Sequence, residues 1–504
     1  MEVCQHRQSN KFAINYRLVL IIIILFIVAA CASEHKPETP DKVDDTQIDP
    51  QKEKEVVELQ HHYSLSLSTN QTNVSVYETI VLTSSKILDA SIINENNFYL
   101  RSMDTIIEST ISFTETTITL KPTHTLQPLS DYTLFISKDI IAYIIGSSDF
   151  DITLNFHTAA LDLPPLFDRW KSNMVSFGEN VATYIINDDN PRDFLLDAFY
   201  YDAQYVFYQI GEFTGDTDKW NAYAIKAGQQ YESRYLTPNN YKIAGYWRFP
   251  HGIYEQWKRS GEVTLANRLK QLRDGPAYSD PLTNGYANTW YSQRVSREIA
   301  YAIESNILAE KAGVPRDQAR LDVYIDMALQ HIDSWVSGNW IITNEDDQYV
   351  KPFMTGLTAG ALIEYYEHLL SNGEANTRTE AIIPAIKSIA DWTWENMWVP
   401  DMGGRSPQLN DQGGTGYGAF VYMSKQVAGK GGPNPAPDLN LLIAPHYAWL
   451  YLKTCEQTYK EKADLIFAGG VQFAYLGWGK QFNQNYRKSF KFLQWREAGN
   501  KNCS

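Results

Sequence analysis

The chain has 504 residues, with 59 acidic against 44 basic side chains and a formal net charge of −15. That balance argues against nucleic-acid binding, which needs a basic face, and it would repel a polyanionic substrate unless a cleft is locally basic. The length is too great for one ordinary domain, and composition divides the chain into distinct segments.

Arg7, Lys11 and Arg17 precede Leu18 to Val28, an unbroken apolar run of eleven residues that leads into Ala29-Ala30-Cys31. A spanning helix needs about 20 apolar residues, whereas a signal-peptide core needs about 7–15 before small residues and a cut. Residues 1–30 are therefore expected to be a signal peptide. Val28-Ala29-Ala30-Cys31 resembles the bacterial lipobox, which implies acylation of Cys31 and a lipid anchor in the cell or outer membrane, facing the periplasm or the exterior. Residues 31–60 are rich in Glu, Asp, Lys and Pro; such a stretch buries too little apolar area to offset its ordering entropy and predicts a tether. With Cys4 in the signal and Cys31 acylated, only Cys455 and Cys503 remain to pair. One lies in a helical pattern and the other in a tail, so no disulfide is expected.

Residues 61–160 alternate. Tyr63-Ser64-Leu65-Ser66-Leu67-Ser68 and Thr116-Thr117-Ile118-Thr119-Leu120 follow the period of two that marks a half-buried strand. Short strands between Asn, Ser, Asp and Pro clusters predict a small all-β sandwich. The run from Leu120-Lys121-Pro122 through Asp131-Tyr132-Thr133-Leu134 and Gly146 to Phe156-His157-Thr158 resembles bacterial Ig-like domains. That resemblance implies a spacer, and no catalytic constellation is visible in it.

From residue 164 to 498 the pattern becomes helical and heavy in Trp, Tyr and Phe. Helices are expected over 193–213, 216–235, 252–259, 262–272, 291–312, 317–336, 353–370, 377–397, 439–459 and 462–475, with Gly, Asn and Pro stops between the members of each pair. First members are apolar around their circumference, while second members carry a polar face. A helix apolar all round is buried and an amphipathic one lies outside. The alternation predicts a double ring, an all-α (α/α) toroid of five to six helical hairpins. A helical solenoid is the alternative, but no fixed repeat period is present.

Long irregular connections precede the third, fourth and fifth inner helices, at 276–290, 339–351 and 400–437. Connections longer than about 12–15 residues in a compact domain are commonly functional or disordered. Sugar rings pack on Trp and Tyr while their hydroxyls bond to a charged rim, and here the domain resembles the α/α-toroid glycoside hydrolases and polysaccharide lyases. The resemblance is one of architecture. It implies a polysaccharide or oligosaccharide substrate.

Hydrolysis needs two carboxylates. Asp197 and Asp202 lie on the first inner helix with Tyr200 and Tyr201; five residues apart, they point in different directions, so Asp197 is expected to pair instead with Glu298, Glu364 or Asp438. Elimination needs a cation beside a uronate carboxylate and a Tyr or His to take the neighbouring proton. Arg248, His251 and Tyr254 in one run, His446 and Tyr447 in a second, and Arg294 and Arg297 in a third supply those types. The candidate catalytic set is therefore Asp197, Asp202, Tyr201, Arg248, His251, Arg297, Glu298 and His446. Trp247, Tyr254, Trp290, Tyr291, Arg294, Tyr417 and Tyr447 are expected to bind substrate. The basic, aromatic segment 480–496 either lines a sugar groove or covers the ring.

No cofactor or metal is expected. The glycine-rich stretch 413–418 does not follow a strand in a βαβ unit, so a phosphate loop is excluded. Asn344-Glu345-Asp346-Asp347 offers hard oxygens for Ca²⁺, but reads better as a solvated acidic loop. Three functions stay open: a membrane-anchored glycoside hydrolase, a polysaccharide lyase cleaving a uronate-containing glycan, and a non-catalytic glycan-binding lipoprotein.

Overall fold

The computed structural model describes residues 62–186, 197–283, 288–401 and 417–503. The expected signal peptide, Cys31, the expected tether and the glycines at 413–416 lie outside the described residues, as does the expected helix start at 193–196.

Nine strands between Tyr63 and Thr158 form two sheets: β1 (Tyr63–Leu65), β3 (Ile80–Ser84), β7 (Thr117–Pro122) and β6 (Ser109–Phe113) in one; β2 (Gln71–Val74), β9 (Ile152–Thr158), β8 (Asp131–Ile136), β4 (Phe98–Ser102) and β5 (Thr105–Ile106) in the other. Alternation explains the faces. Ile118 and Leu120 of β7 are fully buried opposite Leu82 and Ile80 of β3, while Thr117 and Thr119 point the other way. A slip of one residue would expose every one of these side chains. The hydroxyl of buried Tyr132 accepts the Gln127 N–H at 2.8 Å, pinning the turn before β8. Strand β1 is shorter than the alternating run Tyr63–Ser68 predicts. Helix α1 (Lys138–Ile145) ends at Gly146, whose φ of 102° suits glycine.

The helical region is a toroid. Its inner ring is α3 (Ala203–Thr214), α5 (His251–Ser260), α7 (Ser296–Lys311), α9 (Pro352–Ser371), α11 (Ala444–Thr454) and the pair α13 (Gly479–Tyr486) and α14 (Ser489–Cys503). The outer ring is α2 (Phe167–Ile186), α4 (Thr217–Tyr231), α6 (Val263–Asp274), α8 (Gln318–Ser337), α10 (Thr377–Met397) and α12 (Gln457–Gln472). Helices α3, α7 and α9 are buried over most of their length, whereas α6, α8 and α10 bury one face. The predicted sixth hairpin comes from the two ends of the region. The Trp170 indole donates to Ser489 Oγ at 3.1 Å and Tyr486 donates to the Trp170 carbonyl at 2.9 Å, closing α2 on the last hairpin.

Three expectations change. The segment 480–496 is not a cover lying on the ring; it breaks between α13 and α14 and completes the inner ring, with Phe482, Tyr486, Phe490 and Phe492 in the core while Lys488, Lys491 and Trp495 line a cavity. The segment 439–459 is a 3₁₀ turn (Pro437–Leu442) followed by α11. Cys455 and Cys503 do form a disulfide, because α11 and α14 pack side by side and finish together, with Cα atoms 5.3 Å apart. Nothing in the sequence reports that the tail returns to α11. Arg496, held by Asp162 and Asp464, and Lys460 with Asp162 fasten the segment after β9 to the toroid.

Candidate functional site

Chain direction gives the toroid two unlike ends. Connections leaving inner helices are short, as at Gly215-Asp216 and Gly261-Glu262, where glycines at φ 77° and 69° stop α3 and α5. Among the described residues, the connections entering α5, α7 and α9 are long and gather at the opposite end. There the Tyr200 ring meets Tyr201 edge-on at 4.7 Å and Trp247 at 4.7 Å, and Phe249 lies at 5.5 Å. The Lys480 ammonium sits 5.4 Å from the Tyr200 ring centre. Arg297 donates to the Tyr200 hydroxyl at 3.4 Å and to Glu298 Oε1 at 3.2 Å, and its guanidinium lies 5.0 Å from the Tyr246 ring.

Two carboxyl groups share Lys480 as a neighbour. Burial raises the pKa of Asp197 above the ordinary range, with Lys480 opposing. Burial likewise raises Asp438, opposed by a hydrogen bond from Gln484 and by Lys480. Gln484 Nε2 also donates to the Asp438 carbonyl at 2.6 Å, which fixes the turn that carries the acid. Burial pushes Tyr200 and Tyr201 upward too, so both phenols keep their protons at neutral pH despite Arg297. Beside this cluster a cavity of about 470 Å³ is lined by Tyr246, Tyr278, Arg294, Glu298, Asn344 and Asp347 among others. Glu298 Oε2 is buried there without a hydrogen-bond partner. Gly245 permits the approach, since a Cβ at that position would stand 2.8 Å from Glu298 Cγ.

Of the candidates drawn from sequence, Asp197, Tyr201, Trp247, Arg297, Glu298 and Arg294 thus come together at the loop end. Trp290 and Tyr291 border it: Trp290 packs on Tyr278 at 5.1 Å and its carbonyl faces His331 at 2.9 Å, while the Tyr291 ring lies 6.1 Å from His331. Tyr417 packs instead against Ala419 and Phe473.

The other candidates lie elsewhere. Asp202 caps α3 and accepts the Gly252 N–H. Arg248 is wholly buried, and it donates to the Ala277 carbonyl at 3.1 Å and to the Ser279 hydroxyl, holding the loop after α6. Tyr447 is core, with its hydroxyl donating to the Ala390 carbonyl at 2.6 Å. Tyr254 stacks on Trp257 beside a second cavity, which His251 and His446 also line. Burial lowers the His446 pKa to about 3, so the ring is neutral.

His251 belongs to a charged layer in the barrel interior. Its Nε2 lies 3.1 Å from Glu364 and its Nδ1 3.8 Å from Glu304. Arg487 and Lys488 donate to Glu304 at 2.9 and 2.7 Å. Burial would raise both glutamates, but the surrounding cations win and hold both below the ordinary range. One oxygen or nitrogen from each of His251, Glu304 and Glu364 falls within 4.8 Å of the others, a spacing that suits a metal. Both Glu304 oxygens already accept from cationic side chains, however, so the arrangement is a balanced ion network rather than a donor set for a cation. The acidic loop 344–347 is likewise tied by lysines: Lys430 reaches Asp347 at 2.8 Å and Lys425 reaches the Glu345 carbonyl at 2.8 Å.

Asp438 appears in the sequence only as one of three possible partners for Asp197, and Lys480, Tyr246 and Gln484 were not singled out as site residues. Lys480 was visible as the first residue of the basic aromatic tail, but its approach to Asp197 depends on ring closure.

Residues 63–158 match the bacterial Ig-like domain family. No curated protein matches the chain. Among solved structures, the chain is similar to a family 76 glycoside hydrolase from a bovine Bacteroides thetaiotaomicron strain, with 9% identity over 85% of this chain and 99% of that one and a TM-score of 0.39.

Proposed function

We propose that this chain is a carbohydrate-active enzyme that cleaves a polysaccharide by hydrolysis at the loop end of the toroid, and that Cys31 anchors it outside the cytoplasm. The observation that carries the reading is the loop-end cluster of Tyr200, Tyr201, Trp247, Tyr246, Arg297 and Lys480, with two half-buried carboxyl groups, Asp197 and Asp438, whose pKa burial raises against the opposing charge of Lys480. A glycosidic oxygen needs a proton as it leaves, and burial favours the protonated form of a carboxyl group. Asp438, the more enclosed, is assigned the proton donor. Asp197 is assigned the base that activates water or the nucleophile. Arg297 and Glu298 position the sugar through its hydroxyls.

Elimination is the second reading, supported by Arg297 lying against Tyr200 and Tyr201. It is the weaker one, because burial holds both phenols protonated and a proton-abstracting Tyr needs the reverse. The anchor is supported by the apolar run before Cys31 and by the Cys455–Cys503 disulfide, a bond that persists in oxidising compartments. Among the described residues no helix is long and apolar enough to cross a membrane.

The test is a panel of neutral and acidic polysaccharides incubated with the wild type and with Asp438→Asn. Hydrolysis releases reducing ends without an unsaturated, ultraviolet-absorbing product, and the variant loses the activity. An unsaturated product would establish elimination instead, and binding without cleavage across the panel would make the chain a glycan-binding protein.

A further inference from the structure

The toroid has a second cavity, inside the ring, reached by the first residues of α5 and α11 and by the last residues of α7. It measures about 220 Å³ and is lined by Leu308 and Lys311 late in α7, by residues 360–371 of α9, by Lys488, Lys491 and Trp495 near α14, and by His446. That is below the roughly 300–1,000 Å³ of pockets for drug-sized ligands, so it suits one sugar ring or a comparable small molecule and excludes a chain.

Its polar groups divide into satisfied and unsatisfied ones. Every glutamate lining it has a partner: Glu255 pairs with Lys258 at 2.9 Å and with Arg259, Glu364 pairs with His251, and Glu367 accepts the Trp449 indole N–H at 3.2 Å. Lys488 is held by Glu304. Lys311 and Lys491 form no ion pair among the described residues; Lys491 only lies 5.8 Å from the Trp495 ring centre. His446 is 1% exposed, and neither of its ring nitrogens has a hydrogen-bond partner. A buried polar side chain without a partner is costly and uncommon. What the cavity lacks is acceptors for two ammonium groups and a partner for one imidazole, set beside aromatic and aliphatic walls from Tyr254, Trp495, Leu308 and Ile363.

We propose that this cavity binds a small organic carboxylate of hexuronic-acid size, its carboxylate taken by Lys311 and Lys491 and a hydroxyl by His446. The site goes beyond the cleavage activity proposed above and uses none of its catalytic residues. A product or effector bound there would touch α5, α7, α9 and α14.

Isothermal titration of the full chain with sodium glucuronate tests this, with glucose as the neutral control and inorganic phosphate as the bare anion. Saturable glucuronate binding is expected, with glucose and phosphate much weaker. Losing its charge-assisted contacts, Lys311→Ala/Lys491→Ala should bind about tenfold more weakly or worse. His446→Phe, which keeps a ring but removes both nitrogens, should weaken it as well, and Asp438→Asn should bind as the wild type does. The double lysine variant changes only cavity-mouth side chains and so keeps the test open if His446→Phe does not fold. Absence of saturable binding, unchanged affinity in the lysine variant, equal binding of glucose or phosphate, or loss of binding in Asp438→Asn would each overturn the proposal. Binding requires no turnover, so it stands or falls separately from cleavage.

Discussion

The Asp202 carboxylate joins two inner helices: Oδ1 accepts the Tyr205 N–H of α3 at 3.1 Å, and Oδ2 accepts the Gly252 N–H of α5 at 3.1 Å. Asp202 and Tyr201 hold φ near +67° and +65°, an uncommon conformation for residues with side chains, and the two bonds fix it. Asp202→Ala leaves two buried N–H groups without acceptors and should lower stability by about 2–4 kcal/mol, read from denaturant unfolding. Gly252→Ala should also destabilise, since its Cβ would stand 2.6 Å from Asp202 Oδ1. Unchanged unfolding midpoints in both variants would remove the brace.

Asp438→Asn separates catalysis from stability. Loss of a general acid should reduce turnover by about 10²-fold or more. Burial raises the Asp438 pKa in the folded chain above its ordinary 3.8, so the folded state disfavours the carboxylate. Wild-type stability therefore falls as pH rises through and beyond that value, and the amide variant escapes this loss. The variant should be more stable than wild type near neutral pH, with the difference vanishing well below pH 3.8. Thermal unfolding measured across that range decides it, and a variant less stable at neutral pH would contradict the argument.

Glu304 has the opposite sign. Despite full burial its pKa is held below the ordinary 4.5 by Lys488, Arg487 and His251. Its contribution is complete above that value and is lost as pH falls below it toward the depressed folded pKa. Acid unfolding should therefore begin under about pH 4.5, and Glu304→Gln should flatten it. At neutral pH the same substitution leaves Arg487 buried and uncompensated, at a cost of about 3–5 kcal/mol. Circular dichroism against pH for both proteins is the measurement.

The Cys455–Cys503 bond closes a loop of sequence separation 48 between the ends of α11 and α14. In the chain-entropy account such a loop stabilises by about 4 kcal/mol. Cys455→Ser/Cys503→Ser should lose up to that amount in denaturant unfolding. Reductant should shift the wild type toward the variant and leave the variant unmoved; equal response of both would show that the bond is not formed.

Much of the architecture was legible because it follows from local periodicity. Alternation around Ile118 and Leu120 marks a sheet with one buried face, and the contrast between all-round apolar α9 and one-faced α10 marks an inner and an outer helix. Gly215 and Gly261 mark the turns between helices for the same local reason. The site was legible only in part. Trp247, Arg297 and Glu298 stand beside inner-helix starts and could be placed at the loop end from sequence order. Asp202, Arg248 and Tyr447 have equally suggestive neighbours in the sequence, yet Asp202 and Tyr447 are bound to backbone groups on other helices and Arg248 to the loop after α6, partners that no spacing reveals.

What the sequence determined by itself, then, is the division into an alternating β segment and a helical segment, the pairing of helices, and the end of the ring at which long connections gather. Each depends on residues within a few turns of one another. Only tertiary structure decided that 480–496 closes the inner ring, that Cys503 reaches Cys455, and that Lys480 sits over the Tyr200 ring. These depend on contacts between residues far apart in the chain, whose meeting is fixed by how six hairpins fit round one core rather than by any local preference. A carboxylate reads the same in sequence whatever awaits it; ring closure gives Asp202 two backbone N–H donors and sets Asp438 beside Gln484.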